Sequence, residues 1–453
     1  MSIAADSLLS YRSSDDFALF LESQLDVASE EDEFEGFNCT NELNDHPRIK
    51  RPKLDDSDPH NSISVAECTT DWYDNAGESH IENVYPHPGV MGGMCIRCGH
   101  IVDSESGVKL SYIHEGMRLA KYEIARLWSK GLMSNKLILV LDLDHTLLNS
   151  TRFEDITPEE RYLTAPKEAL PDAIKGNSLF HLESIHMMTK LRPYVSEFLS
   201  EASRLFEMYI YTMGQRSYAN RVAKILDPDN VYFNTRVIAQ EDCTQSHQKG
   251  LDVVLGQESC ILILDDTEAV WSKHKENLIL MERYHFFQSS CKQFGVKCKS
   301  LSEKKEDEIE DDGALATILK ILQRVHSLYF DQENDLLNQD VRKLLKKVRK
   351  EVLQGCKIVF SRIFPTKFPG KNHRLWRMAE QLGATCSTEL DESITHVVST
   401  DVGTDKSRWA VNQNKFLVHP GWIEACNYFW RKETEEKFPV NQEKISDAPP
   451  TQE

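Results

Sequence analysis

The sequence predicts an α/β protein in which a parallel-sheet domain is followed by a second, smaller α/β unit. Three short apolar segments, at 136–143, 207–212 and 260–266, alternate with stretches whose apolar residues recur at helical spacing. A similar alternation begins again with the apolar segment at 356–364. Strands separated by helices imply a parallel sheet with helices on both faces, whose ligands bind at the carboxyl ends of the strands.

Length and charge limit the classes of protein that the chain can represent. Its 453 residues favour two or three domains, and its 72 acidic and 53 basic residues give a formal net charge of −19. That charge argues against broad electrostatic binding to a nucleic-acid backbone. No stretch has the roughly 20 apolar residues that span a membrane, and the start of the chain lacks a signal-peptide pattern. We therefore expect a soluble intracellular protein, in which 11 thinly spread cysteines are reduced.

Residues 1–70 are predicted to form a disordered acidic arm, because they are rich in Ser, Asp, Glu and Asn and poor in aromatic residues. A basic island, PRIKRPKLDD at 47–56, interrupts the arm. Its basic residues surround two prolines that keep the chain extended, so the island indicates a nuclear localisation signal and a nuclear protein. The alternative interpretation is a solvated basic patch.

The sheet domain is predicted to span 108–302. Helical spacing predicts a helix at 112–132, before the first strand, and another at 193–206, between the first two strands. A charge run at 302–313 is expected to end this domain. The remaining predicted segments are a Cys-x-x-Cys segment at 71–107, a charged linker at 303–351, the second α/β unit at 352–440, and a disordered tail at 441–453. Two helices are predicted near 314–330 and 335–353.

Acidic residues follow two of the predicted central strands. Asp142 and Asp265 each leave an almost purely aliphatic run, and Asp144 lies two positions after the first. Carboxylates gathered at one sheet edge repel one another unless a divalent cation lies between them, and oxygen ligands suit Mg²⁺ together with a phosphate oxygen. The pattern suggests that Asp142 attacks phosphorus to give an aspartyl-phosphate, while Asp144 protonates the leaving oxygen and later activates water.

Three further residues are candidates for binding the transferred phosphoryl group. Thr212 ends the second predicted strand and offers a hydroxyl, whereas Lys249 and Arg192 each offer a positive charge. None is informative alone, because a threonine at a strand end is ordinary and loop cations are usually solvated. Likewise, an isolated Asp-x-Asp-x-Thr could be a strand end with a capping threonine.

The combined pattern resembles the haloacid-dehalogenase superfamily. The elements that match, in order, are DLDHT at 142–146, KLRP at 190–193, YTMGQRSYA at 211–219, the lysine of HQKGLD, and DDTEAVW at 265–271. More narrowly, the chain is similar to the TFIIF-associating phosphatases of the RNA polymerase II C-terminal domain, over about 133–300. GTDKSRWA and HPGWIEA, further on, look like the plant members.

This resemblance implies a haloacid-dehalogenase-like, Rossmann-type domain with Mg²⁺-dependent protein serine/threonine phosphatase activity. The implied substrate is the phosphorylated heptad-repeat tail of RNA polymerase II, and the implied role is in transcription. Mn²⁺ or Co²⁺ could replace Mg²⁺. The implied roles are nucleophile and metal ligand for Asp142; general acid/base, with its backbone carbonyl on the metal, for Asp144; and phosphoryl binding for Thr212 and Lys249. They also include metal binding for Asp266 and support of the metal site for Asp265. Arg192 and Trp271 match residues that are typical of this subfamily and not of the whole superfamily.

The second unit, from CKIVFSRIF to HPGWIEACNYF, resembles a BRCT domain, in which Trp422 is expected to belong to the core. Ser361 and Lys406 match the positions with which phosphopeptide-binding members contact phosphate. Arg362 stands where those members have glycine, although an arginine can itself bind phosphate through two hydrogen bonds. The resemblance implies a phosphorylated partner, or a transcription factor such as TFIIF. The alternative is a strand-end hydroxyl beside a surface lysine.

Cys95 and Cys98 are candidate zinc ligands. Cys-x-x-Cys spacing lets two thiolates bind one zinc ion, with His87, His100 and Cys68 nearby in the sequence. A tetrahedral site needs two more ligands, however, and only one Cys-x-x-Cys occurs. The alternative is a glycine-rich turn with buried thiols.

Two other functions remain open at this point. One is a haloacid-dehalogenase-like enzyme acting on another phosphoprotein or a small phosphate ester. The short interval of about 70 residues between Asp142 and Thr212 argues against a small substrate, since it leaves no room for a large cap. The other is a catalytically weak scaffold that acts through the BRCT-like unit, which the complete set of candidate catalytic residues disfavours.

Overall fold

The structure, a computed structural model, describes part of the chain. The acidic arm with its basic island, Cys68 and the tail lie outside the described residues, so these predictions stay predictions. The described residues are 87–102, 107–110, 117–120, 123–124, 134–172, 174, 178–296, 298–331, 339–365 and 368–440.

Regular elements follow one another through the described residues. The strands are β1 Gly89–Met91, β2 Met94–Cys95, β3 Val108–Lys109, β4 Met117–Leu119, β5 Leu137–Leu141, β6 Leu148–Arg152, β7 Leu179–Leu182, β8 Met187–Leu191, β9 Phe206–Tyr211, β10 Val237–Ile238, β11 Ile261–Asp265, β12 Leu278–Leu280, β13 Lys357–Ser361, β14 Thr385–Ser387, β15 His396–Ser399 and β16 Phe416–Val418. The α-helices are α1 Val195–Leu205, α2 Arg216–Leu226, α3 Gln288–Gln293, α4 Leu301–Lys304, α5 Ala314–Tyr329, α6 Val341–Arg349, α7 Arg374–Gln381, α8 Asp405–Asn412 and α9 Gly421–Phe429. None of these helices is long and apolar enough to cross a membrane.

A five-stranded parallel sheet, in the order β10-β9-β5-β11-β12, forms the centre of the first domain. All five residues of β5 are buried, and their side chains alternate between two apolar layers. Leu139 belongs to the layer that includes Phe198 of α1, whereas Val140 belongs to the layer that includes Trp271. The three central strands and helix α1 confirm the corresponding predictions from the sequence.

A three-stranded antiparallel sheet, β6-β8-β7, lies in the chain between β5 and α1. Strand β6 begins two residues after Thr146, and β8 ends next to Arg192, so both ends of this sheet are close to the candidate site in sequence. Ser150 Oγ lies 2.8 Å from Thr189 Oγ1, which links β6 to β8 through side chains as well as through the backbone. The insertion is therefore a small sheet and not a large separate cap.

The prediction of a continuous helix at 112–132 is wrong at Met117–Leu119. These residues form β4, which pairs antiparallel with both β1 and β3 in a four-stranded sheet of order β2-β1-β4-β3. Leu119 is buried in this arrangement, while Glu123 and Ile124 are helical. The apolar spacing resembled a helix, but pairing with strands on both sides supplies hydrogen bonds that a local pattern cannot anticipate.

The charge run at 302–313, expected to be the start of a linker, packs against the first domain instead. Asp307 forms a buried ion pair with Lys190 of β8 and accepts a 2.8 Å hydrogen bond from the Tyr284 hydroxyl. Glu308 forms a bidentate pair with Arg192, at 2.9 and 2.7 Å. Because buried cations require partners, these acidic residues complete the first domain. The two helices predicted in the following segment are confirmed as α5 and α6.

The second domain has a parallel sheet of order β14-β13-β15-β16. Trp422 on α9 is fully buried, stacks on His396 with ring centres 4.5 Å apart, and donates a 2.8 Å hydrogen bond to the Glu433 carbonyl, which confirms its predicted place in the core. Gly383 has φ +96°, and a Cβ there would lie 1.8 Å from the Lys350 carbonyl oxygen. Only glycine fits this close approach.

Helix α5 connects the cores of the two domains. It packs against α1 of the first domain and against α9 of the second. Its buried residues Leu319 and Leu322 belong to one continuous apolar cluster that includes both Leu139 and Trp422. The two domains therefore share a core.

Candidate active site

Three carboxylates meet at the carboxyl ends of β5 and β11. Asp142 follows β5, and Asp265 and Asp266 lie at the end of β11. The two strands are parallel neighbours, and the Asp142 amide donates a 3.0 Å hydrogen bond to the Leu264 carbonyl, so their ends coincide. One oxygen of each of the three carboxylates lies within 4.8 Å of the others. The structure thus brings together the strand-end acids predicted from the sequence.

Lys249 lies between two of these carboxylates. Its Nζ is 2.6 Å from Asp142 Oδ1 and 2.6 Å from Asp265 Oδ2, and the side chain is almost completely buried. Burial alone would lower the pKa of Lys249, but the two negative charges outweigh it and raise the pKa above its ordinary value. Lys249 is therefore a fixed positive charge.

Asp265 is held by several donors. Its Oδ2 accepts a 2.8 Å hydrogen bond from Trp271 Nε1 as well as the one from Lys249, and its Oδ1 accepts a 2.8 Å hydrogen bond from the Thr267 amide. Trp271 is fully buried, in edge contact with Tyr211. These contacts fix the carboxylate at the rim of the sheet, which fits the supporting position expected for Asp265.

The group fits a hard divalent cation. The donor set consists of carboxylate oxygens, and burial, followed by the charge of Asp265, raises the pKa of Asp142 well above its ordinary value. Such a rise means that the ionised form of Asp142 is short of positive charge, even beside Lys249. A Mg²⁺ ion bound by these oxygens would supply that charge.

Asp144 is bound by a tyrosine that the sequence analysis did not single out. The Tyr218 hydroxyl, on α2, donates a 2.6 Å hydrogen bond to Asp144 Oδ1 and lies 2.9 Å from Ser150 Oγ. Burial raises the pKa of the Asp144 carboxyl, and the hydrogen bond from Tyr218 partly opposes the rise. Tyr218 lies in the YTMGQRSYA segment, which matches the family, so the sequence marks this tyrosine as part of a motif. The sequence does not show that its partner is Asp144.

Arg283 is a second residue that the sequence did not reveal. Its Nε lies 2.5 Å from Asp266 Oδ2, and its guanidinium lies 4.1 Å from the centre of the Phe294 ring. Burial opposes ionisation of Asp266, but the charge of Arg283 outweighs it and lowers the pKa of Asp266. No local motif identifies Arg283, because it is placed by the loop after β12.

Thr212 lies directly after β9, next to β5 in the sheet. The register pairs Ile210 with Leu141, so Thr212 emerges at the same sheet edge as Asp142. Its amide donates a 3.0 Å hydrogen bond to the Ile238 carbonyl, and its Oγ1 accepts a 2.9 Å hydrogen bond from the Gly214 amide. The hydroxyl is held in place, as expected for a phosphoryl-binding group.

Arg192, which is expected to supply charge to a phosphoryl group, is bound to an acidic side chain and to backbone carbonyls. Its Nε and Nη2 bind Glu308, and its Nη1 lies 3.0 Å from each of the Thr146 and Glu282 carbonyl oxygens. The side chain is buried, and the attraction of Glu308 outweighs burial to raise the pKa of Arg192. Arg192 therefore supports the loop that carries Asp144, and its contact with a phosphoryl group stays a prediction.

The candidate phosphopeptide residues of the second domain lie at one end of its sheet. Ser361 Oγ is 2.7 Å from Thr404 Oγ1, and Lys406 Nζ donates to the carbonyls of Phe360 and Thr388, at 3.3 and 2.9 Å. Arg362 has φ +54° and binds Asp401 at 2.9 Å. Ser361 and Lys406 are thus close, although both already have partners within the domain.

The candidate zinc residues are also close together. The Sγ atoms of Cys95 and Cys98 and a ring nitrogen of His87 lie within 4.8 Å of one another.

Comparisons with known proteins agree with this architecture and define the class of protein to which the chain belongs. Residues 137–311 match the NLI interacting factor-like phosphatase family, and residues 348–427 match the BRCA1 C Terminus (BRCT) domain. Among solved structures, one that the chain resembles is fission yeast RNA polymerase II CTD phosphatase Fcp1 bound to beryllium fluoride. The TM-score is 0.55 and the sequence identity is 24%, and the match covers 68% of this chain and 97% of that one. This likeness confirms the haloacid-dehalogenase-like fold.

Relatives then give the particular family. The chain is 52% identical over 450 residues to RNA polymerase II C-terminal domain phosphatase-like 4 of Arabidopsis thaliana, covering 98% of both chains. It is 41% identical to phosphatase-like 3 of the same plant, covering 69% of this chain and 26% of that one. It is 31% identical to an RNA polymerase II C-terminal domain phosphatase of Caenorhabditis elegans, over 79% of this chain and 56% of that one. The chain belongs to the RNA polymerase II C-terminal domain phosphatase-like family, whose members are protein phosphatases of the haloacid-dehalogenase type.

Proposed function

We propose that this protein is a nuclear, Mg²⁺-dependent phosphatase that hydrolyses phosphoserine in the heptad-repeat C-terminal domain of RNA polymerase II. The observation that carries the proposal is the cluster of Asp142, Asp265 and Asp266, in which Lys249 binds the first two, with Asp144 beside it. The similarity to phosphatase-like 4 extends over nearly the whole of both chains, which supports the same substrate class.

In the first step, a carboxylate oxygen of Asp142 attacks phosphorus, and the bond between phosphorus and the serine oxygen breaks. Asp144 donates its proton to the departing serine oxygen, in keeping with the rise of its pKa on burial. Lys249 and Thr212 hold the phosphoryl oxygens. Mg²⁺, bound by Asp142, Asp266 and the Asp144 carbonyl, would supply Lewis-acid stabilisation of the phosphoryl charge, and Mn²⁺ or Co²⁺ could serve in its place.

In the second step, the aspartyl-phosphate is hydrolysed. Asp144, now ionised, removes a proton from a water molecule, and the resulting oxygen attacks phosphorus. The bond between phosphorus and Asp142 breaks, which releases phosphate and restores the Asp142 carboxylate. Tyr218 keeps Asp144 in position for both steps through its 2.6 Å hydrogen bond.

The test is turnover of heptad peptides phosphorylated at the second or the fifth position. We expect Mg²⁺-dependent phosphate release by the native protein and a loss on the order of 10³-fold or more for Asp142→Ala. Asp229→Ala, which changes an exposed aspartate away from the site, is the matched control and should retain full activity. Equal activity of native protein and Asp142→Ala would contradict the aspartyl-phosphate mechanism, and much faster turnover of sugar phosphates would contradict the substrate.

A second proposal concerns the BRCT domain, which we infer binds a phosphorylated peptide. Support comes from the closeness of Ser361 and Lys406, which places a hydroxyl and an ammonium at one end of the sheet. With a net charge of −19, the protein needs such local positive groups to attract an acidic tail. Binding of one phosphorylated repeat would raise the effective concentration of its neighbours at the catalytic domain. A transcription factor such as TFIIF remains an alternative partner.

Calorimetric titration of the whole Asp142→Ala protein measures this binding without turnover. We expect a phosphorylated heptad peptide to bind more tightly than its unphosphorylated form. Adding Ser361→Ala and Lys406→Ala to this protein should reduce the affinity for the phosphorylated peptide, because the BRCT domain then no longer binds its phosphate. Lys415→Ala, an intermediate-exposure lysine bonded to the Glu392 carbonyl, is the control. If the double variant binds as Asp142→Ala does, the BRCT domain does not bind phosphate through these residues.

A further inference from the structure

The four-stranded sheet near residue 100 contains three nitrogen and sulfur side chains arranged around one point. His87 precedes β1, Cys95 ends β2, and Cys98 lies in the turn that follows. Cys98 Sγ is 3.2 Å from His87 Nδ1, and these atoms and Cys95 Sγ all lie within 4.8 Å of one another. On a tetrahedral zinc ion, with bonds of about 2.3 Å to sulfur and about 2.0 Å to nitrogen, two such ligand atoms lie about 3.5 Å apart.

The turn after β2 has the shape that directs two thiols to the same side. The Gly99 amide donates a 2.9 Å hydrogen bond to the Cys95 carbonyl, and the Cys95 amide donates a 2.8 Å hydrogen bond to the His100 carbonyl. Gly99 has φ +72°, a conformation that glycine adopts without strain. The Arg97 amide also points at the sulfur of Cys95, 3.4 Å away. An amide directed at a sulfur favours its thiolate form, which is the form that binds metal.

Among the described residues, the sheet has only a small apolar cluster of its own. Its strands have two or three residues each, the cluster consists of Val90, Cys95 and Val102, and the buried side chains of Leu110 and Leu119 add to it. Ile96 and Ile101 on the same segment are exposed. Small units with so little buried surface usually rely on a disulfide or a metal. Both cysteines are free thiols here, so a metal joining the chain before β1 to the turn after β2 would add stabilisation.

We propose that His87, Cys95 and Cys98 bind a structural Zn²⁺ ion that holds this sheet together. The site differs from the carboxylate cluster in ligand chemistry, since soft thiolates and imidazole select zinc whereas the carboxylates select Mg²⁺. The fourth tetrahedral position is open to a water molecule or another side chain. The proposal does not depend on the substrate of the phosphatase domain.

Metal analysis of the full-length protein, purified without added chelator, tests the assignment. We expect close to stoichiometric zinc in the native protein and loss of nearly all of it in the Cys95→Ser, Cys98→Ser double variant. Two controls should keep their zinc: Cys386→Ser, which removes a thiol from the second domain, and Asp142→Ala, which disrupts the carboxylate cluster. Zinc that disappears with Asp142→Ala but not with the cysteine variants would overturn the assignment.

Cobalt substitution gives a second readout, and its main result comes from the native protein alone. Co²⁺ exchanged into the native protein should show sulfur-to-cobalt charge-transfer absorption, weakened in Cys98→Ser and unchanged in Cys386→Ser. His87→Ala should keep the charge-transfer bands but bind Co²⁺ more weakly. Absence of these bands in the native protein, or a mass that corresponds to a Cys95–Cys98 disulfide in protein purified under reducing conditions, would refute the zinc site.

Discussion

At the scale of single residues, Tyr218 determines how Asp144 is presented. Its hydroxyl lies between Asp144 and Ser150, and it donates to the carboxylate at 2.6 Å. A hydrogen bond to an ionised group contributes about 1.5–3 kcal/mol, so this contact is large enough to affect both the orientation of Asp144 and its proton affinity.

Tyr218→Phe removes that hydrogen bond and keeps the ring. Because the hydrogen bond favours the ionised carboxyl, we expect the pKa of Asp144 to rise further and kcat to fall roughly tenfold or more. The measurement is kcat as a function of pH, in which the limb that reports Asp144 should move to higher pH. Tyr232→Phe is the matched control. A lower kcat with an unchanged pH profile would show that Tyr218 is only structural.

Glu424 is a buried carboxyl in the second domain. Burial raises its pKa from 4.5 to about 7, and Arg374, 3.5 Å away, opposes the rise only in part. In the unfolded chain the group ionises near its ordinary pKa, so between about pH 4.5 and 7 the unfolded state binds fewer protons than the folded state. Its contribution to stability is therefore lost as the pH rises through this window.

Glu424→Gln should remove this pH dependence. Relative to the native protein, the variant should gain stability as the pH rises from about 5 to 8, by up to roughly 3 kcal/mol. Urea unfolding at several pH values measures the difference, with Glu436→Gln, which changes an exposed glutamate, as the control. A stability difference that does not vary with pH would contradict the raised pKa of Glu424.

At the scale of elements, the charge run after α4 acts as part of the catalytic domain. Glu308 binds Arg192, whose guanidinium in turn binds the Thr146 carbonyl in the Asp142–Thr146 loop. The acidic segment therefore reaches the active site through one buried cation. Removal of one partner from a buried ion pair leaves an uncompensated charge, which costs about 3–5 kcal/mol.

Glu308→Ala should destabilise the protein by a few kcal/mol, less than the full range because the Glu308 side chain is partly exposed. We also expect kcat to fall, since Arg192 loses the partner that fixes it against the loop. Glu310→Ala, two residues away and exposed, should change neither quantity. Urea unfolding and peptide turnover together test the prediction, and native-like values in both would show that the charge run is a linker after all.

The strand β4 illustrates an element that sequence spacing misidentifies. Its three residues gain hydrogen bonds from β1 and β3, which lie on either side of it. Helical periodicity describes only the chain's own residues, so it cannot register partners supplied by other segments.

At the scale of the whole molecule, α5 makes the two domains parts of one core. Leu322 is fully buried in a cluster that includes residues of both sheets. A shared core makes the domains unfold together, because neither can lose its contacts with α5 without exposing apolar surface on the other.

Leu322→Ala should therefore destabilise both domains at once. We expect a loss of about 2–5 kcal/mol, typical of a large-to-small substitution in a packed core, within a single unfolding transition. Tryptophan fluorescence and circular dichroism during urea unfolding should give coincident curves. Lys320→Ala on the exposed face of α5 is the control. Two separated transitions in the native protein would show that the domains are independent.

The sequence by itself determined the central strands, the acids that follow them and the order of the catalytic motifs. Each of these is a local property: an aliphatic run of five residues buries itself, and an acid directly after it must emerge at the sheet edge. The same locality explains why α1, α5 and the core position of Trp422 were predicted correctly.

Only the tertiary structure decided which residues serve these acids. Tyr218 and Asp144 are 74 residues apart, and Arg192 and Glu308 are 116 apart. Contacts at such separations depend on how sheets and helices pack, so neither the support given by Tyr218 and Arg283 nor the structural position of Arg192 could be read from a motif. Physically, the backbone pattern places a carboxylate at a sheet edge, but folding selects its partners, because a buried charge is stable only where another part of the chain supplies the opposite charge or a donor.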